Sequence, residues 1–131
     1  MSKINWLHLL GWNHEQLEDL RHAGFAYIRQ GKYEIALPIF RALVILEPDN
    51  AYDAQTLGAI LLELDQADVA LKYLQSALKV EADHSPTLLN LAKALLLTGK
   101  KDEGLKLAKI LTNDPNRIVS NTAKALLLAY G

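Results

Sequence analysis

The chain repeats on a period of 34 residues, with no insertion or deletion. Gly24 and Gly58 stand one period apart, as do Ala36 and Ala70, and Gly31 returns after a double period as Gly99. A period of this length fits a stack of helix–turn–helix units, each too small to bury its apolar face alone and therefore covered by its neighbours. Apolar residues recur at helical spacing along nearly the whole chain, and the alternation of a half-buried strand is absent. Stacks of this kind hold other proteins more often than they do chemistry.

The punctuation between apolar runs is regular. Asn13 followed by Gln16 is a capping box that opens a helix from about residue 14, and Gln30-Gly31-Lys32 closes it. Further helices are expected over about 33–46, 51–64, 67–80, 86–98 and 101–113. Asn50 is the expected cap of the helix over 51–64, and Ser85 with Pro86 opens the one over 86–98. Asp114-Pro115 starts a last helix that ends at Tyr130, and Pro38 is expected to bend the helix it interrupts.

The slots of the tetratricopeptide pattern, W-x2-L-G-x2-Y, A-x3-F and P, are filled in order by Leu20, Ala23, Gly24, Tyr27, Ala36, Phe40 and Pro48. The second unit carries Ala54, Leu57, Gly58, Leu61, Ala70 and Leu74, with Ala82 in place of proline. The third carries Leu88, Leu91, Ala92, Leu95, Gly104 and Ala108, with Pro115 one place early. The chain thus resembles the tetratricopeptide family, most closely in its first unit. The resemblance implies an all-α fold of three tandem repeats (17–50, 51–84 and 85–118) in a right-handed superhelix. A short N-terminal docking segment (1–13) and a C-terminal capping helix (115–131) complete a single domain, 1–131.

The likeness extends beyond the repeat. The stretches Gly24–Phe40, Leu46–Tyr52 and Leu91–Gly99 are similar to the class II type III secretion chaperones. That family consists of small cytoplasmic proteins of three tandem repeats that hold secretion substrates before export. The resemblance therefore implies a cytoplasmic location and a secreted partner. Those chaperones carry a longer N-terminal region than the one short helix found here, so a needle subunit stands beside a translocator subunit as the expected cargo. The different-class alternative is a scaffold or adaptor within a larger complex.

In the tetratricopeptide fold the first helix of each unit lines a concave groove. Counting residues 17, 51 and 85 as slot 1, slots 4, 7, 8 and 11 pack inward and slots 2, 5, 9 and 12 are expected to face the groove. This makes Phe25, Ile28, Tyr52, Ala59, Leu62, Leu89 and Leu96 apolar groove candidates, and a helix apolar beyond its packing stripe needs a second cover. Arg21, Gln55 and Lys93 are the polar candidates to bond a bound peptide. The carboxylate clamp of heat-shock co-chaperones is missing, because its slots hold Arg21, Phe25, Pro86 and Asn90.

Both tryptophans lie in the N-terminal segment. Trp6, Leu9, Leu10 and Trp12 crowd a stretch too short for a stable isolated helix. Two readings remain open: docking onto a second copy or a small co-chaperone, and folding back as a cap on the first unit.

Several functions find no support. A formal net charge of −1 supplies no basic stripe for nucleic acid, and the absence of cysteine removes disulfide and thiolate chemistry. The apolar N-terminal run is broken by Asn5 and His8, which makes a poor signal peptide, and no window approaches a membrane span. His14-Glu15 begins a zinc-protease motif, but its second histidine would fall on Glu18. No phosphate loop or nucleophile elbow appears, so neither an enzyme nor a cofactor or metal site is expected.

Overall fold

The computed structural model describes residues 6–131, with side chains from His8 onward. The described residues form helices and turns alone: α1 (Trp6–Leu10), α2 (His14–Arg29), α3 (Tyr33–Leu46), α4 (Ala51–Glu63), α5 (Ala67–Leu78), α6 (Ser85–Leu97), α7 (Lys101–Leu111) and α8 (Arg117–Tyr130). From α2 onward each helix packs on the next, α6 also touches both α4 and α8, and α1 lies against α3.

The caps explain where helices begin. The Asn13 side chain accepts the Gln16 N–H at 3.1 Å while Gln16 Oε1 accepts the Asn13 N–H at 2.8 Å, completing the capping box. Asn50 Oδ1 accepts the Asp53 N–H at 3.0 Å. Two starts differ from expectation. Ser85 is the first helical residue of α6 and does not cap it, the cap position being His84, whose Nδ1 lies 2.6 Å from Thr87 Oγ1. The last helix starts at Arg117 rather than at Asp114-Pro115, because the Asn116 side chain accepts the N–H groups of Ile118 and Val119 at 3.0 and 3.2 Å. Pro38 lies inside α3 on an exposed position, so the carbonyl left without its partner faces water.

Helices within a unit approach through a small residue. A Cβ on Gly24 would lie 2.5 Å from Phe40 Cε2, and one on Gly58 would lie 2.6 Å from Leu74 Cδ2. In the third unit the corresponding positions hold Ala92 and Ala108, both fully buried, and the hole moves to the second helix. A Cβ on Gly104 would meet the Leu96 side chain at 2.8 Å. Leu96 is consequently a core residue, 6% exposed, and not a groove residue.

Slot 5 forms the seam between units. Arg21, only 5% exposed, donates from Nε and Nη2 to the two carboxylate oxygens of Asp53 at 2.8 and 2.6 Å, joining α2 to α4. Glu18 at 2.5 Å and Glu47 at 3.3 Å also pair with it. The hydrogen bonding that Arg21 donates to Asp53 is the largest influence holding the guanidinium above the ordinary arginine value, against the opposing pull of burial. Glu47 is held below the ordinary carboxylate value, first by the Asn50 amide and then by Arg21, with burial opposing. In the second unit Gln55 donates to Glu81 Oε2 at 2.9 Å. In the third Leu89 joins Leu111, Val119 and Ala123 in a small core under α8. Arg21 and Leu89 are therefore engaged in holding the stack together, while Gln55 is tied within its own unit.

The turn inside each unit recurs with one exception in its chemistry. The slot 16 N–H donates to the slot 11 carbonyl in every unit: Lys32 to Tyr27 at 2.9 Å, Gln66 to Leu61 at 2.8 Å and Lys100 to Leu95 at 2.8 Å. This turn requires left-handed backbone at slot 15, where Gly31 and Gly99 have φ of 72° and 84° and Asp65 has φ of 59°. A left-handed conformation costs an L-residue about 1–2 kcal/mol, less for aspartate than for most. Asp65→Gly is expected to raise stability by about 1 kcal/mol, read as a higher melting temperature by circular dichroism. An unchanged or lower value would show that Asp65 sits there without strain.

Asp53→Asn tests the seam. It keeps the shape and removes the charge facing a buried arginine, and breaking such a pair costs about 3–5 kcal/mol. The loss should fall near the lower end, since Glu18 and Glu47 remain, and urea denaturation measures it. Arg21→Met with Asp53→Leu should recover most of it. A loss below about 1 kcal/mol for Asp53→Asn would show that the pair is solvated and not structural.

Candidate functional site

An open groove of about 540 Å³ crosses the first helices of the three units. Phe25, Ile28, Tyr52, Gln55, Ala59, Leu62 and Lys93 line it, whereas Arg21, Leu89 and Leu96 do not. In the second and third units the facing stripe runs through slots 2, 6, 9 and 13. These are Tyr52, Thr56, Ala59 and Glu63 on α4, and Pro86, Asn90, Lys93 and Leu97 on α6. At 3.6 residues per turn these four slots fall within an arc of about 60°, while slots 5 and 12 lie to one side, toward the neighbouring unit. Ile28, Gln55 and Leu62 border the groove from that side. The four expected slots of the second unit all line the groove; slots 6 and 13 join them there and replace slots 5 and 12 in the third unit. The difference adds Thr56, Glu63, Asn90 and, from α3, Tyr33, so a groove expected to be largely apolar carries a polar side as well.

The two halves differ. At one side an aromatic series climbs from core to solvent. Buried Phe40 meets Phe25 edge-on, ring centroids 5.2 Å apart, and Phe25 meets Tyr52 at 5.6 Å. Tyr52 is 55% exposed, so its ring presents a large apolar face to solvent. The other side carries Glu63, Asp65, Asn90 and Lys93, whose side chains make no hydrogen bond or ion pair among the described residues. His84 and Thr87 also line the groove but bond each other. Slots 6 and 13 line the groove in both the second and third units, as Thr56 and Asn90 and as Glu63 and Leu97, which no match of residue type at those slots announces.

A second, wholly different surface lies at the N-terminal end. Leu10, Trp12, Leu20, Pro38, Ile39, Ala42, Ile45 and Leu46 enclose an apolar hollow of about 560 Å³. Trp12 packs partly on the main core, while Leu9, Leu10 and Ile45 are 66%, 52% and 58% exposed. Of the expected interface set, Trp6 has its side chain outside the described residues. Among the described residues no helix is long and apolar enough to cross a membrane.

The type III secretion chaperone SycD of Yersinia enterocolitica, solved with a peptide of the translocator YopD, superposes with a TM-score of 0.79 at 24% identity, covering 90% of this chain and 94% of that one. PcrH of Pseudomonas aeruginosa, in complex with the chaperone binding region of PopD, gives 0.78 at 25% identity over 92% of this chain and 94% of that one. The human protein O-mannosyl-transferase TMTC2 is 30% identical over 104 residues, 75% of this chain but 12% of that protein, so the chain spans about an eighth of this relative's length. The family model for the tetratricopeptide repeat matches residues 61–127, from the end of α4 into α8 and about half of the chain. The stacked helices and the family match agree, and the chain belongs to the tetratricopeptide repeat family.

Proposed function

We propose that the protein is a non-catalytic type III secretion chaperone. Its groove holds an extended, partly apolar segment of a secreted translocator or needle subunit in the cytoplasm, masking that segment until export. The observation that carries this is the outward aromatic series Phe40–Phe25–Tyr52, which ends in an open groove and has no partner of its own there. Exposed aromatic rings in a concave site are the anchors that dominate peptide affinity. Support comes from SycD and PcrH, which share the fold and were solved with translocator segments bound. The hollow between α1 and α3 fits a second copy or a small co-chaperone, since so apolar a patch is poorly suited to water.

Co-expression with candidate needle and translocator subunits tests the proposal. The chaperone should render one of them soluble and co-purify with it; failure with every subunit would remove the chaperone role. Tyr52→Asp with Leu62→Asp should abolish that co-purification while leaving the helical circular dichroism signal intact. Loss of both would place these side chains in the core.

Leu10→Asp with Ile45→Asp should lower the sedimenting mass if the N-terminal hollow joins two copies. Where the wild type sediments as a dimer, an unchanged mass in the doubly substituted protein would exclude this surface from the dimer.

A further inference from the structure

Glu63 and Asp65 stand at the polar side of the groove, one at the end of α4 and the other in the turn that follows. Both are exposed, and neither carboxylate has a partner among the described residues. Lys93 lines the same groove yet makes no ion pair with them. Within this groove two carboxylates thus face one ammonium, and all three remain available to a ligand. The repeat itself supplies a control. Slot 15 is glycine in the first and third units, and only the second unit, whose turn borders the groove, places a carboxylate on left-handed backbone there.

We infer that the groove selects a segment with apolar residues at the Phe25–Tyr52 side followed, across the groove, by a lysine or arginine seated against Glu63 and Asp65. This rests on the proposal that the groove holds a peptide, and adds which peptide it holds. The aromatic side supplies affinity without discrimination among apolar residues. The carboxylates supply discrimination, since a like charge placed there is repelled and a cation is attracted in a cleft walled by Ile28, Leu62 and Leu97. Asn90 and Lys93, one turn apart on α6, are placed to bond peptide carbonyls. Tyr52 and Glu63 stand near opposite ends of α4, about 16 Å apart along its axis at 1.5 Å per residue, a span that about five extended residues cover, so anchor and cation fit on one short segment.

The test uses fluorescein-labelled synthetic peptides with leucines at alternate positions and a single lysine, glutamine or glutamate beyond them, titrated with the full chain by fluorescence anisotropy. The lysine peptide should bind about fivefold tighter than the glutamine peptide, and the glutamate peptide weaker still. Added salt should erode the difference. Glu63→Gln with Asp65→Gly should equalise lysine and glutamine peptides while keeping their leucine-dependent binding. The glycine suits the turn, so loss of the carboxylate is separated from loss of the fold. Equal binding of all three peptides by the wild type, with binding still lost in Tyr52→Asp, would overturn the inference and leave the peptide groove standing. Binding of none of them would overturn both.

Discussion

The architecture depends on how closely two helices of one unit approach. Gly24 and Gly58 remove the Cβ atoms that would strike Phe40 and Leu74. Each large side chain then fills the hole and is fully buried. Close packing of this kind makes a core intolerant of one added carbon, because the displaced side chain has nowhere to go. It also fixes the angle from which each first helix presents its other face. The groove is the sum of those faces, so its shape is set by contacts that no ligand touches.

A stack also needs each unit to hold the next, and this chain solves that differently at each step. The first step is ionic and buried, Arg21 against Asp53. In the second unit the slot holds a neutral amide, Gln55, which bonds Glu81 in the turn leading to the third unit. In the third it is apolar, Leu89 against Val119 and Ala123. Chemistry falls in polarity along the stack while the slot stays the same. The ionic step is the one with directionality, since a bidentate guanidinium accepts few orientations. It lies beside Tyr52, whose neighbour Asp53 is the buried acceptor, so the aromatic side of the groove is the side whose geometry is most tightly held.

Helix positions were legible because turn chemistry is local. Asn13, Asn50 and the glycines of slot 15 act within a few residues, and the helices fall where those residues place them. Asp65 was hidden for the same reason inverted: nothing in the local sequence announces an aspartate doing a glycine's work, although the 34-residue period aligns it with Gly31 and Gly99. Slots 6 and 13 were missed because nothing local says how far round each first helix the open arc extends. That extent depends on where the next unit sits, and that is a tertiary fact. Arg21 illustrates it. As an isolated arginine on a helix it reads as solvated, and only the fold brings Asp53, thirty-two positions along, to cover it.

The third unit's contribution to the groove follows from its own packing. There the hole lies on the second helix, at Gly104, and draws Leu96 inward. Had the hole stayed at slot 8, as in the first two units, slot 12 would border the groove as Ile28 and Leu62 do. Its removal leaves α6 to meet the groove with Pro86, Asn90, Lys93 and Leu97, of which two are polar. What α6 presents to the groove therefore depends on where a small residue sits in the core, and a hole transferred from the first helix of a unit to the second, at Gly104, turns Leu96 away from the groove and leaves Asn90 and Lys93 among the residues that face it.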